Sequence, residues 1–107
     1  MNRRMDTRIA LTDMVADISD GRGFFKGVIH DFSRFGMALD DISPKMNSQA
    51  QQLTVVVDGQ GKHFKMKISP RWESVADGQK IVGCQIEQGP FTWTEFVMRF
   101  EPEEDDL

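Results

Sequence analysis

The chain of 107 residues contains no tyrosine, one cysteine and no apolar run long enough to span a membrane. Because tyrosine is missing, we expect the aromatic residues of the core to be mainly phenylalanines, of which there are eight. Seven methionines add flexible apolar volume. Because Cys84 is the only cysteine, no internal disulfide can form, which suits a reducing compartment. No signal-peptide h-region follows the first arginines. We therefore expect a single-domain cytoplasmic protein without membrane insertion.

Basic residues are also too few for a nucleic-acid-binding face, since the formal net charge is -4. We therefore expect no DNA or RNA partner. The charge is unevenly placed, because three arginines against one aspartate give residues 1–10 a charge of +2, whereas residues 101–107 carry five acidic side chains. A basic start suits a small anionic ligand. An acidic end is typical of a solvated tail.

Motifs of the common enzyme classes are missing as well. The sequence has no G-x-S-x-G, Walker or H-E-x-x-H motif. His30 and His63 have no partner histidine or cysteine at metal-binding spacing. Cys84 lies in an apolar stretch and is expected to be buried rather than nucleophilic. We predict a protein that is not an enzyme and has neither a metal site nor a cofactor.

Short apolar and β-branched stretches separated by turn signals dominate what is present. Residues 1–8 are polar and without periodicity, which indicates an N-terminal arm. The strand pattern then recurs six times, at residues 9–18, 24–32, 36–39, 53–57, 63–72 and 80–87. This spacing predicts an all-β domain, either a small barrel or a sandwich.

Residues 91–100 have a different period. Trp93, Phe96, Val97 and Phe100 recur at the spacing of one helix face, which predicts an amphipathic helix. Thr92 is the expected N-cap, since a glutamate follows three residues later as in a capping box. We expect this helix to cover an open end or a seam of the β-domain.

Two short polar motifs stand apart from these elements. Arg4 and Arg8 have the spacing R-x-x-x-R, and the turn after the second strand reads Asp31-x-Ser33-x-x-Gly36. Arginine offers a planar fork of donors for phosphate oxygens or the acceptor edge of guanine. The aspartate, serine and glycine offer an acceptor, a hydroxyl and either a positive φ or room for a ligand. Alternatively, the arginines are solvated and the turn satisfies only its own backbone.

Two further side chains are secondary candidates for the same site. Arg34 belongs to the same turn but could equally be solvated. Trp72 is a candidate stacking surface for a base, although a lone tryptophan is commonly part of the core.

The two motifs, in this order and with this strand length between them, resemble the paired signature of the PilZ domain family, which comprises receptors for cyclic di-GMP. The end of a strand at Arg71-Trp72 and the later Gly83 also fit that family. The resemblance implies a six-stranded antiparallel β-barrel with a C-terminal α-helix over residues 9–100. It further implies a ligand on the barrel exterior, covered by a flexible arm of residues 1–8, and leaves residues 101–107 as the acidic tail.

Site residues also follow from the resemblance. Arg4 and Arg8 match the two motif arginines, Arg3 matches a frequent preceding arginine, and Asp31, Ser33 and Gly36 match the second motif. The implied function is a cyclic di-GMP receptor that orders its arm on binding and signals to a protein partner in bacterial motility or biofilm regulation. An alternative is a PilZ-type interaction module that binds no nucleotide and acts in pilus or flagellar regulation. Since only two residues precede the arginines, we expect no ligand-driven rotation of an upstream domain.

Overall fold

The computed structural model describes residues 7–102 and consists of six strands followed by one helix. The elements are β1 (Val15–Ser19), β2 (Phe24–Phe32), β3 (Gly36–Ile42), β4 (Leu53–Gly59), β5 (Lys62–Ala76), β6 (Gln79–Gln88) and α1 (Phe91–Phe100). The strands form a closed barrel in the order β1-β2-β3-β6-β5-β4, and all neighbours are antiparallel. The predicted fold class is therefore confirmed, and of the two all-β architectures the chain adopts the barrel.

The first strand is shorter than the sequence indicates. Asp13 has a φ of 64°, in the left-handed region, so the extended run begins only at Val15. Before it, Ile9 forms an isolated bridge to Phe32, with Ile9 N donating to Phe32 O at 2.8 Å and Phe32 N donating to Ile9 O at 2.9 Å. This bridge brings the N-terminal segment to the end of β2.

Alternation along the strands builds the core inside the barrel. In β4, Leu53, Val55 and Val57 are buried, whereas the residues between them are partly exposed. The same period continues in β5, and the hairpin between the two strands turns through Gln60 (φ 56°) and Gly61 (φ 72°). Two successive positive φ angles match the twist of antiparallel strands.

The helix α1 covers one open end of the barrel. The ring of Trp93 lies 5.2 Å from that of Phe32 on β2 and 5.2 Å from that of Phe64 on β5. Because β2 and β5 are not neighbours in the barrel, a helix that touches both must span the opening. The predicted Thr92 cap is wrong: the N-cap is Pro90, and no side chain caps the helix. No helix in residues 7–102 has the length and apolarity to cross a membrane.

Candidate ligand-binding site

The turn between β2 and β3 is held tightly by its own polar groups. Ser33 N donates to Gly36 O at 2.8 Å, and the Ser33 hydroxyl accepts from Phe35 N at 3.4 Å. On its far side the turn is fixed to β6, because Ile86 N donates to Phe35 O at 2.8 Å. Ser33 is buried as a result. The serine therefore braces the turn, as one of the sequence interpretations held.

Arg8 reaches this turn from the N-terminal segment. Its Nε donates to Asp31 Oδ1 at 2.9 Å, a second guanidinium nitrogen pairs with the same carboxylate, and Nη1 donates to Ser33 Oγ at 3.3 Å. The backbone bridge between Ile9 and Phe32 aligns the N-terminal segment with the end of β2, and this alignment places Arg8 beside the turn. The structure thus brings together one residue of the first motif and two of the second.

Asp31 remains a carboxylate in this arrangement. Partial burial acts to raise its pKa, but hydrogen bonds from Arg8 and His30 outweigh burial and hold the pKa of Asp31 below its usual value. His30 Nδ1 lies 3.1 Å from Asp31 Oδ2. The site therefore presents an ionised acceptor beside a guanidinium at neutral pH.

Gly36 leaves room for the arginine. A Cβ at this position would lie 3.0 Å from Cys84 O and 3.2 Å from Arg8 Nη1. Gly36 is not among the glycines with positive φ in the described part of the chain. Of the two reasons considered for a glycine here, close approach is therefore the one that the geometry supports.

Arg8 and the turn form one end of an open groove of about 450 Å³ on the barrel exterior. The groove crosses β3 and β6 and ends at β5. Beyond the predicted residues, its walls include His30, Phe35, Ala38, Arg71, Ile81, Gly83, Cys84 and Gln85. A volume of this size is within the range of small-molecule sites, about 300–1,000 Å³.

Trp72 lies at the β5 end of the groove and is not a core residue, since 53% of it is exposed. Its indole rests against β6, where it faces Gly83 across the strand pair. Trp72 therefore lies partly open to solvent at the groove and outside the core.

Arg71 is a groove residue that the sequence analysis did not assign to the site. Its Nη2 donates to Gln85 Oε1 at 2.5 Å across the β5–β6 pair. A register shift between Pro70 and Trp72 interrupts the pairing here. Because the bulge changes which side chains face outward, strand alternation alone could not have placed Arg71 in the groove.

Cys84 lines the groove, but its thiol is not activated as a nucleophile. Burial raises the pKa of its thiol to about 12, so the thiolate is not populated at neutral pH. This agrees with the expectation of a buried, non-nucleophilic cysteine. Within residues 7–102, no group of three or more histidine, cysteine, aspartate or glutamate side chains could hold a metal ion.

Arg34 does not line the groove, unlike the other turn residues proposed for the site. Its Nε and Nη2 donate to Glu101 Oε2 and Oε1, each at 2.8 Å. Glu101 hydrogen-bonds and attracts the guanidinium, which raises the pKa of Arg34 further. Glu101, grouped with the solvated acidic tail by the sequence, is buried in the structure. Arg3 and Arg4 lie outside the described residues.

Solved structures of other proteins share this fold. The inhibitor of motility MotI/DgrA from Bacillus subtilis matches with a TM-score of 0.71 and 8% identity, covering 87% of this chain and 46% of that one. PlzA from Borreliella burgdorferi, solved in complex with c-di-GMP, matches with a TM-score of 0.66 and 9% identity, covering 91% of this chain and 50% of its own.

The chain therefore spans about half the length of these two proteins. Both are PilZ-domain proteins, so the PilZ-like fold implied by the two motifs is confirmed. No family model and no curated protein sequence matches the chain.

Proposed function

From the PilZ-like fold of this chain, we propose that it is a cyclic di-GMP receptor that binds the dinucleotide in the exterior groove and signals to a protein partner. The observation that carries this proposal is the position of Arg8. Its guanidinium is held over Asp31, Ser33 and Gly36 at one end of a groove that has Trp72 at the other end. Receptor function of this kind needs no reaction chemistry.

The groove offers groups that complement each part of the ligand. Cyclic di-GMP carries two phosphate charges and two guanines, whose O6 and N7 atoms accept hydrogen bonds and whose N1 and N2 atoms donate them. Each Nη of Arg8 has a second N–H that the contacts to Asp31 and Ser33 do not use. Asp31 supplies an ionised acceptor for guanine donors, and the exposed indole of Trp72 supplies a surface for a base.

Arg71 adds a second guanidinium to the groove. Its side chain is 56% exposed and is oriented by Gln85, so it can reach a phosphate or stack on a base. Arg3 and Arg4 would close over the ligand from the N-terminal arm, which becomes ordered on binding in this proposal. The solved PlzA complex holds c-di-GMP, and that protein shares the fold of this chain.

Calorimetric titration with cyclic di-GMP tests the proposal. We expect the wild-type chain to bind and Arg8→Ala to lose at least about fivefold in affinity, since one good bidentate contact contributes about 1–3 kcal/mol. Arg22→Ala is the matched control, because Arg22 is an exposed arginine on the β1–β2 turn, outside the groove. Wild-type affinity in Arg8→Ala, or no binding by the wild-type chain, would overturn the proposal.

The arm has its own test. Arg4→Ala should weaken binding as Arg8→Ala does, and backbone order parameters of residues 2–6 should rise when cyclic di-GMP is added. Order parameters that are already rigid without ligand would contradict arm ordering while leaving binding itself intact. A chain that folds but does not bind would favour the alternative of a nucleotide-independent interaction module.

A further inference from the structure

We propose that Glu101, at the end of α1, is a positioning residue for the ligand turn and acts through Arg34, so that ligand affinity and the docking of α1 are thermodynamically linked. This inference rests on the proposed function for its ligand. It concerns a pair of residues separated by 67 positions in sequence. Neither residue lines the groove.

The geometry of the pair is that of a strong contact. Two parallel hydrogen bonds of 2.8 Å join the guanidinium of Arg34 to the carboxylate of Glu101. Both side chains are shielded from solvent, with exposed fractions of 15% for Arg34 and 2% for Glu101. Bidentate pairing fixes direction as well as distance, and removing one partner leaves the other charge buried without compensation.

The two partners of this ion pair lie on different structural elements. Arg34 lies directly between Ser33 and Phe35, the residues whose polar atoms close the ligand turn. Glu101 is the C-cap of α1. The ion pair therefore ties the turn that carries the site to the terminus of the helix that closes the barrel.

A second contact leads from the turn to the same helix. Phe32, which immediately precedes Ser33, has its ring 5.2 Å from Trp93 and 5.9 Å from Phe96. Both rings belong to the buried face of α1. Displacing the turn would thus disturb α1 at two places, the middle of its buried face and its C-terminal end.

Linkage then works in both directions. A ligand that holds the turn in its bound geometry must favour the docked helix by the same factor with which the docked helix favours the ligand. The exposed face of α1 carries Phe91 and Met98. A change in the docking of α1 would therefore alter a surface that solvent and other proteins can reach.

Substitutions of Glu101 distinguish a positioning role from a direct effect of its charge on the ligand. Glu101→Gln removes a negative charge close to the site, which by charge alone would make an anionic ligand bind more tightly. Positioning predicts the opposite, a loss in affinity on the order of tenfold, within the usual range of coupling between sites. Glu101→Asp keeps the charge but is one methylene too short for the same bidentate contact, and it should lose affinity as well.

The experiment combines calorimetry with amide hydrogen exchange on the full chain. We expect cyclic di-GMP to slow exchange of residues 91–100 in the wild-type chain, and this effect to be lost in Glu101→Asp. Asp17→Asn is the control for Glu101→Gln, because it likewise removes one negative charge, here from the exposed Lys26–Asp17 pair outside the groove. Unchanged or tighter binding in both Glu101 variants, with α1 still protected by ligand, would overturn the inference.

Failure of the proposed function gives a different result. If the wild-type chain does not bind cyclic di-GMP, exchange of residues 33–36 without ligand still tests the positioning role. Faster exchange there in Glu101→Gln than in Asp17→Asn supports it. Equal exchange in the two variants overturns it.

Discussion

The indole of Trp72 occupies the space that a side chain on residue 83 would need. A Cβ built on Gly83 would lie 2.1 Å from both Nε1 and Cε2 of Trp72. The two residues are register partners across β5 and β6, just beyond a shift in the pairing. A glycine on one strand thus lets a tryptophan of the other lie against the barrel wall at the edge of the groove.

Replacing Gly83 by alanine should therefore move Trp72 without unfolding the barrel. The methyl group must displace the indole, which is free to rotate outward because it is half-exposed. If a guanine stacks on Trp72, we expect Gly83→Ala to weaken cyclic di-GMP binding by about 1–3 kcal/mol, the contribution typical of one stacked base. Calorimetry and tryptophan fluorescence measure the two effects.

Gly89→Ala is the control for adding a methyl group. A Cβ at Gly89 would meet only side-chain atoms, the nearest at 3.3 Å, and Gly89 lies outside the groove. Trp72→Ala should reproduce the loss caused by Gly83→Ala. Full affinity in Trp72→Ala would exclude a stacking role.

Asp31→Asn separates the charge of the site from its shape. The amide has no charge and only one acceptor oxygen, so it cannot serve both Arg8 and a guanine donor as well as the carboxylate does. Binding of cyclic di-GMP should therefore weaken by about 1.5–3 kcal/mol. Stability should change by only about 0–1 kcal/mol, since the Arg8–Asp31 pair is partly exposed. Calorimetry and urea unfolding report these quantities, and a large loss of stability with full affinity would reverse the assignment.

The helix contributes stability through its buried face. Trp93 contacts the rings of both Phe32 and Phe64, so Trp93→Ala should lower the free energy of unfolding by about 3–5 kcal/mol. Phe91 on the same helix is 76% exposed, and Phe91→Ala should change stability by less than about 0.5 kcal/mol. Similar losses in the two variants, measured by urea denaturation, would contradict the position of α1 over the barrel end.

Low pH should reduce the stability that the Asp20 carboxylate gives to the β1–β2 turn. Backbone amides donate to the Asp20 carboxylate, first that of Asn47 and then those of Arg22 and Gly23, and these bonds lower the pKa of Asp20. A group whose pKa is lower in the folded state stabilises the fold above its unfolded pKa, and the effect disappears as pH falls through the folded pKa. The stabilisation is therefore present at neutral pH and declines as the pH falls below about 4, the unfolded value.

Asp20→Ala provides the measurement for this effect. The wild-type chain should be more stable than Asp20→Ala at pH 7, and the difference should shrink as the pH falls toward 2. Thermal unfolding at several pH values gives the comparison. A difference that stays constant across this range would show that the Asp20 carboxylate does not anchor the turn through its charge.

Local pattern was sufficient wherever a structural feature depends on residues near one another in sequence. The spacing of apolar residues predicted the strands β4 and β5. It also predicted α1 and its buried face, from which Phe100 departs because it is exposed. The motif of Asp31, Ser33 and Gly36 predicted the turn between β2 and β3. In each case the side chains that matter lie within a few residues, so the period of the element decides their direction.

Contacts across the barrel required the tertiary structure. Three such contacts depend on strand register and on where α1 ends. They are the ion pair of Arg34 with Glu101, the packing of Trp72 on Gly83 and the hydrogen bond of Arg71 to Gln85. A single bulge or a left-handed residue such as Asp13 shifts that register, and no local periodicity reports it. Sequence alone therefore determined most of the strands, the buried helix face and the polar turn after β2, whereas closure of the barrel decided which distant charges and rings meet.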